Sequence, residues 1–88
     1  MITIEEGEIE KDMWRKGTIK LSDMTVCEFC VKYYNEASEN YGINGGKISK
    51  LMIKIDDEIV ASYDRGWDIS PADEKTINCY EILVARYN

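Results

Sequence analysis

A chain of 88 residues, 44% of them hydrophobic, is long enough for one domain with a modest core. Its formal charge of −6, from 17 acidic and 11 basic residues, disfavours contact with nucleic acid phosphates and with anionic membranes. The absence of histidine removes the commonest general base, the Ser-His and Cys-His nucleophile pairs, and most zinc and iron sites.

No apolar run approaches the roughly 18 residues of a membrane span. The start, Met1-Ile2-Thr3-Ile4-Glu5-Glu6, has neither the basic region nor the apolar stretch of a signal peptide, so a cytosolic protein is expected. Cys27, Cys30 and Cys79 make an odd count, which in a cytosolic chain argues against a disulfide framework.

In chain order, residues 1–12 form an acidic segment, an arm or a short edge strand in which Ile2 and Ile4 alternate with polar neighbours. Trp14 to Leu21 reads as the first firm strand, with Lys16, Thr18 and Lys20 on one face. Ser22-Asp23-Met24 is a turn. From Thr25 to Tyr34, Cys27, Phe29, Val31 and Tyr33 point one way, and Glu28, Cys30, Lys32 and Tyr34 the other. The short connection predicts a hairpin.

Asn35 to Gly46 is a loop whose Tyr41-Gly42-Ile43-Asn44-Gly45-Gly46 end is dense in glycine. Neither a following helix nor a Gly-Lys-Ser/Thr run is present, so a phosphate cradle is disfavoured. Lys47 to Ile55 and Glu58 to Tyr63 form a second hairpin about Asp56-Asp57. Residues 14–63 therefore hold two hairpins.

Asp64 to Asp73 links the last strand to a helix over 71–87. Ser70 is placed to cap it, Pro71 to open it, and Gly66 to allow a turn of positive φ. At about 100° per residue, Thr76, Ile77, Tyr80, Leu83, Val84 and Tyr87 share the apolar face. Cys79 falls at its flank and Ile82 toward solvent. The fold class is α+β: an antiparallel four-stranded sheet, with the option of a fifth N-terminal strand, and one C-terminal helix across one face.

Cys27-Glu28-Phe29-Cys30 has the spacing of a redox pair or zinc knuckle. Inside a strand, however, cysteines three apart face opposite ways, so no metal and no Cys27–Cys30 disulfide is expected, and no cofactor. General acid–base work needs a pocket that one sheet and one helix rarely enclose, so the chain is read as a non-enzyme. Seven carboxylates, Asp56, Asp57, Glu58, Asp64, Asp68, Asp73 and Glu74, stand in nineteen residues against Arg65 alone as a basic residue there. Together with Trp67 they form the expected partner-binding surface.

Two motifs, Tyr41-Gly42-Ile43-Asn44-Gly45-Gly46-Lys47-Ile48-Ser49-Lys50-Leu51 and Tyr63-Asp64-Arg65-Gly66-Trp67-Asp68, resemble a family of small uncharacterised phage and prophage proteins of Firmicutes. The resemblance runs from about Trp14 to Tyr87. It departs at the first turn, where such proteins favour Asp-Gly and this chain has Asp23-Met24, and at the cysteines. Small acidic phage proteins of this kind are often inhibitors of host defence, type II anti-CRISPR proteins among them. The resemblance thus implies a stoichiometric inhibitor in the cytoplasm of the bacterial host, a monomer or homodimer. Its carboxylates would mimic DNA phosphates toward a basic host protein such as Cas9 or a Cas9–guide RNA complex, without direct nucleic acid contact. The alternative is a structural or accessory phage module whose acidity serves solubility.

Overall fold

Period-two alternation builds most of the molecule. The structure, a computed structural model, describes residues 3–10, 14–34, 36–40 and 42–88, the first of these segments as backbone alone. The strands are β1 (Thr3–Glu10), β2 (Trp14–Lys20), β3 (Val26–Tyr33), β4 (Ile48–Ile55), β5 (Glu58–Asp64) and β6 (Trp67–Ile69), followed by helix α1 (Glu74–Tyr87). They form one antiparallel sheet in chain order, β1 to β6. The α+β class, the two hairpins and the helix on one face are as the sequence predicts. The expectations placed on Ile2 and Tyr41 lie outside the described residues.

Ile19, Cys27, Phe29, Val31, Leu51, Ile53, Ala61 and Tyr63 all point to the helix side, where they meet Cys79, Leu83 and Tyr87. Burial of these side chains is the main stabilising contribution, each worth about 1.5–3 kcal/mol for a fully buried large aliphatic. Tyr87 stacks on Tyr33 at 5.3 Å between centroids and tilts against Phe29 at 6.2 Å. Among the described residues, the other face of the sheet carries no helix.

Several expectations are corrected. The stretch after Asp64 is not all turn, since Trp67–Ile69 adds a sixth strand against β5. The left-handed residue in that turn is Arg65, at φ 57°, and not Gly66. The Arg65 N–H donates to the Ser49 carbonyl at 3.0 Å, and this bond fixes the bend.

The helix starts later than Ser70-Pro71 implies. Asp73 is the cap, its Oδ1 accepting from the Thr76 amide at 2.8 Å and its Oδ2 from the Thr76 hydroxyl at 2.9 Å. Thr76 is fully buried, so its hydroxyl needs an acceptor. A carboxylate three residues earlier satisfies both donors of Thr76, whereas Ser70 lies in extended chain beyond β6.

Finally, Cys79 lies in the core rather than at its flank, and Ile82 packs partly against the core. The helix is thus turned toward Cys79, whose sulfur is paired with that of Cys27, 52 residues earlier. The disulfide joins β3 to α1 and corrects the expectation, drawn from the odd cysteine count, that the chain has no disulfide framework. Cys27 and Cys30 face opposite ways along β3, and Cys30 takes no part in the bond.

Candidate functional site

The β4–β5 connection is a two-residue turn in which Asp56 and Asp57 both have positive φ, 53° and 64°. Such turns match the twist of the flanking strands, and Asp tolerates the left-handed region better than most residues. The hairpin tip reaches the N-terminus of α1. Asp56 and Glu58 from the tip, with Asp73 and Glu74 from the helix start, line one groove of about 420 Å³. Ile55 and Val60 supply its apolar lining. Lys75 is its one lining cation, and this lysine also reaches Asp23 at 3.7 Å. Hydrogen bonds from the Thr76 amide and hydroxyl hold the Asp73 carboxyl below the usual carboxylate range. A groove of this make-up fits a long cationic side chain, its stem on Ile55 and Val60 and its charge among the carboxylates.

The remaining predicted residues lie elsewhere. Asp64 is at the other end of β5, where it forms ion pairs with Lys50 at 3.8 Å and with Arg65 at 3.6 Å. Trp67 turns its ring to the helix side, edge-on to Tyr63 at 5.0 Å and to Tyr80 at 5.4 Å, and stays 41% exposed. Its role is largely to close the seam between β5 and α1. Asp68 is exposed on β6. The structure therefore brings Asp56, Glu58, Asp73 and Glu74 together, with Asp57 beside them in the turn. It leaves Asp64, Trp67 and Asp68 outside the groove.

The alternation already aligns Lys16, Lys20, Lys32, Lys50 and Lys54 on the face that the helix leaves uncovered, and the structure shows how that face is arranged. Trp14, Lys32, Lys50 and Asp64 stand in register across four strands. Lys16, Cys30, Met52 and Ser62 form the next row. Lys32 Nζ lies 5.9 Å from the Trp14 ring and 5.5 Å from the Tyr34 ring, and Lys50 Nζ is 6.0 Å from Trp14. Where this face meets the loop before β4, Lys32, Lys47, Lys50 and Arg65 line a concavity of about 530 Å³ with Tyr34, Ser38, Ser49 and Glu36. Lys50 and Lys54 at alternate outward positions of β4, with Lys32 on the same face of β3, are the signal that marks it.

The glycine-rich loop has a structural use. Asn88 Nδ2 donates to the Ile43 carbonyl at 3.0 Å, and a side chain at Gly46 would collide with the Asn88 side chain. A side chain at Gly42 would strike the Gly46 backbone. The glycines are thus required for close packing.

A six-stranded antiparallel sheet with a helix on one face and an acidic groove at the hairpin tip defines a small α+β module. Residues 13–88 match a family described as a domain of unknown function, DUF7678, and the chain belongs to that family. No curated protein and no solved structure matches it.

Proposed function

We propose that this chain is a non-enzymatic, stoichiometric binder of a basic protein surface. On this reading it is a phage-encoded anti-defence protein acting in the bacterial cytoplasm on a nucleic-acid-handling host protein, of which Cas9 or its guide RNA complex is an example. The observation that carries the reading is the convergence of the Asp56-Asp57-Glu58 tip and the Asp73-Glu74 helix start on one apolar-lined groove. Like charges held together repel, and a partner supplying Lys and Arg relieves that cost on binding. No helix among the described residues is long and apolar enough to cross a membrane.

The test is capture of purified Cas9–guide RNA complex by the immobilised chain. Binding should weaken as salt rises from about 50 to 300 mM, because exposed charges are screened over a Debye length. Asp56→Asn with Asp57→Gly keeps the turn geometry and removes two charges, and Glu58→Gln with Glu74→Gln removes two more. Both pairs should weaken capture. Capture that ignores these changes would sink the acidic-groove reading.

The alternative, an accessory module that self-associates, draws on one observation. The same pair of strands carries carboxylates at one end and cations at the other. Light scattering over a concentration series separates the two readings: a salt-sensitive rise in mass with concentration favours self-association.

A further inference from the structure

We infer that the basic concavity between β3, β4 and the Asp64–Gly66 bend is a nucleotide site, with phosphate held by Lys32, Lys47, Lys50 and Arg65 and a base laid on Tyr34. The whole-chain charge of −6 points away from such a ligand, but the field that a ligand meets is local. The concavity holds four cations, with Glu36 in its wall and Asp64 beside Lys50 and Arg65. The acidic groove lies toward the opposite end of β4, five residues on from Lys50 and so roughly 17 Å along the strand. That exceeds the Debye length of about 10 Å at 0.1 M salt, so the two ends are largely screened from each other.

Several observations mark this concavity as more than a solvated face. Lys32 and Lys50 are directly opposed across β3 and β4. Like charges so placed destabilise a sheet, and an anion bridging them removes the penalty. Neither Lys32 nor Lys47 makes an ion pair with a described residue, and Lys32 Nζ contacts the Trp14 and Tyr34 rings only. Beside them the Tyr34 ring is 45% exposed, an aromatic surface adjoining the phosphate-binding cations. Cations that track phosphate next to an aromatic ring that accepts a base are the two parts of single-strand recognition. The volume of about 530 Å³ falls in the range of small-ligand sites.

The probe is a fluorescent ten-nucleotide thymidylate strand, followed by anisotropy at about 50 mM salt, where phosphate contacts are strongest. Unlabelled adenosine monophosphate and a ten-residue polyglutamate serve as competitors. The strand should bind. Its log affinity should fall against log salt with a slope of about −2 to −3, as three or four phosphate contacts require. Lys32→Glu with Lys50→Glu, and separately Lys47→Glu in the exposed loop, should each weaken binding at least about tenfold with the circular dichroism spectrum unchanged. Tyr34→Ala should weaken binding without altering the salt slope. Competition by the monophosphate identifies a free nucleotide as sufficient, and its absence identifies a strand as the ligand; either supports the site. No binding by the strand, binding untouched by the lysine changes, or displacement by polyglutamate as effective as by unlabelled strand would overturn it. The last outcome would mark a seat for acidic polypeptide.

Discussion

Asn88 accepts the amide hydrogen of Ile48 through Oδ1 at 2.9 Å, across 40 positions of sequence. The same side chain donates to the Ile43 carbonyl, while its own backbone N–H caps α1 on Val84. One amide therefore ties the end of the helix to the glycine-rich loop and to the start of β4. Asn88→Ala should cost about 1–3 kcal/mol, because it leaves a partly buried donor and acceptor unpaired. Asn88→Asp keeps the bond to Ile48 but sets a carboxylate against the Ile43 carbonyl, so it should not rescue stability. Urea unfolding of both variants checks this.

The cap prediction separates two neighbours. Asp73→Ala should lose about 1 kcal/mol or somewhat more, and Ser70→Ala almost nothing. The Asp73 carboxyl is held below its ordinary pKa by the Thr76 bonds, so its contribution is full above the unfolded value of 3.8. That contribution is lost as pH falls through the lower folded value. Asp73→Asn still caps and does not titrate there, so its stability should fall less steeply below pH 3.8 than that of the parent chain. Thermal melts across the acid range provide the comparison.

The Cys27–Cys79 bond closes a loop of 52 residues. In the chain-entropy picture this is worth about 4 kcal/mol, so reduction should lower the urea midpoint sharply. Thiol titration of the unfolded, unreduced chain should find Cys30 alone reactive, and three thiols after reduction. Three reactive thiols before reduction would refute the bond.

Met24 sits at φ 74° in the β2–β3 turn and is 68% exposed. A side chain in the left-handed region costs roughly 1–2 kcal/mol, part of which glycine returns as unfolded-state entropy. Met24→Gly should therefore raise stability by up to about 1 kcal/mol. The Asp23 carboxylate, which accepts from the Thr25 amide at 3.0 Å, should continue to hold the turn. A lower melting temperature in this variant would count against the assigned conformation.

Strands, hairpins and the helix-bearing face were legible because alternation and turn residues act locally. Cys27, Phe29 and Val31 announce a buried face whatever packs on it. The cap was misplaced because Ser70-Pro71 and Asp73 are both good local signals, and the choice between them rests on Thr76, whose burial is a tertiary fact. Likewise the Cys27–Cys79 bond depends on helix rotation, which a 100° plot fixes only to within about one position. In the candidate site, the Asp56–Glu58 tip and the Asp73-Glu74 start could each be read as acidic. Their meeting at one groove could not, since it follows from how α1 crosses the sheet. The lysines of the bare face could likewise be read from alternation, but the concavity could not, since Lys47 and Arg65 join Lys32 and Lys50 there from a loop and a bend.

The two tryptophans occupy opposite sides of the sheet. Trp14 stands among lysines on the bare face, and Trp67 sits edge-on to Tyr63 and Tyr80 at the helix seam. The molecule thus carries two optical reporters with separate fields of view. With Trp67→Phe the remaining emission senses events on the bare face, and with Trp14→Phe it follows the docking of α1. Quenching confined to the first variant would distinguish occupancy of the sheet from loosening of the helix in a single titration.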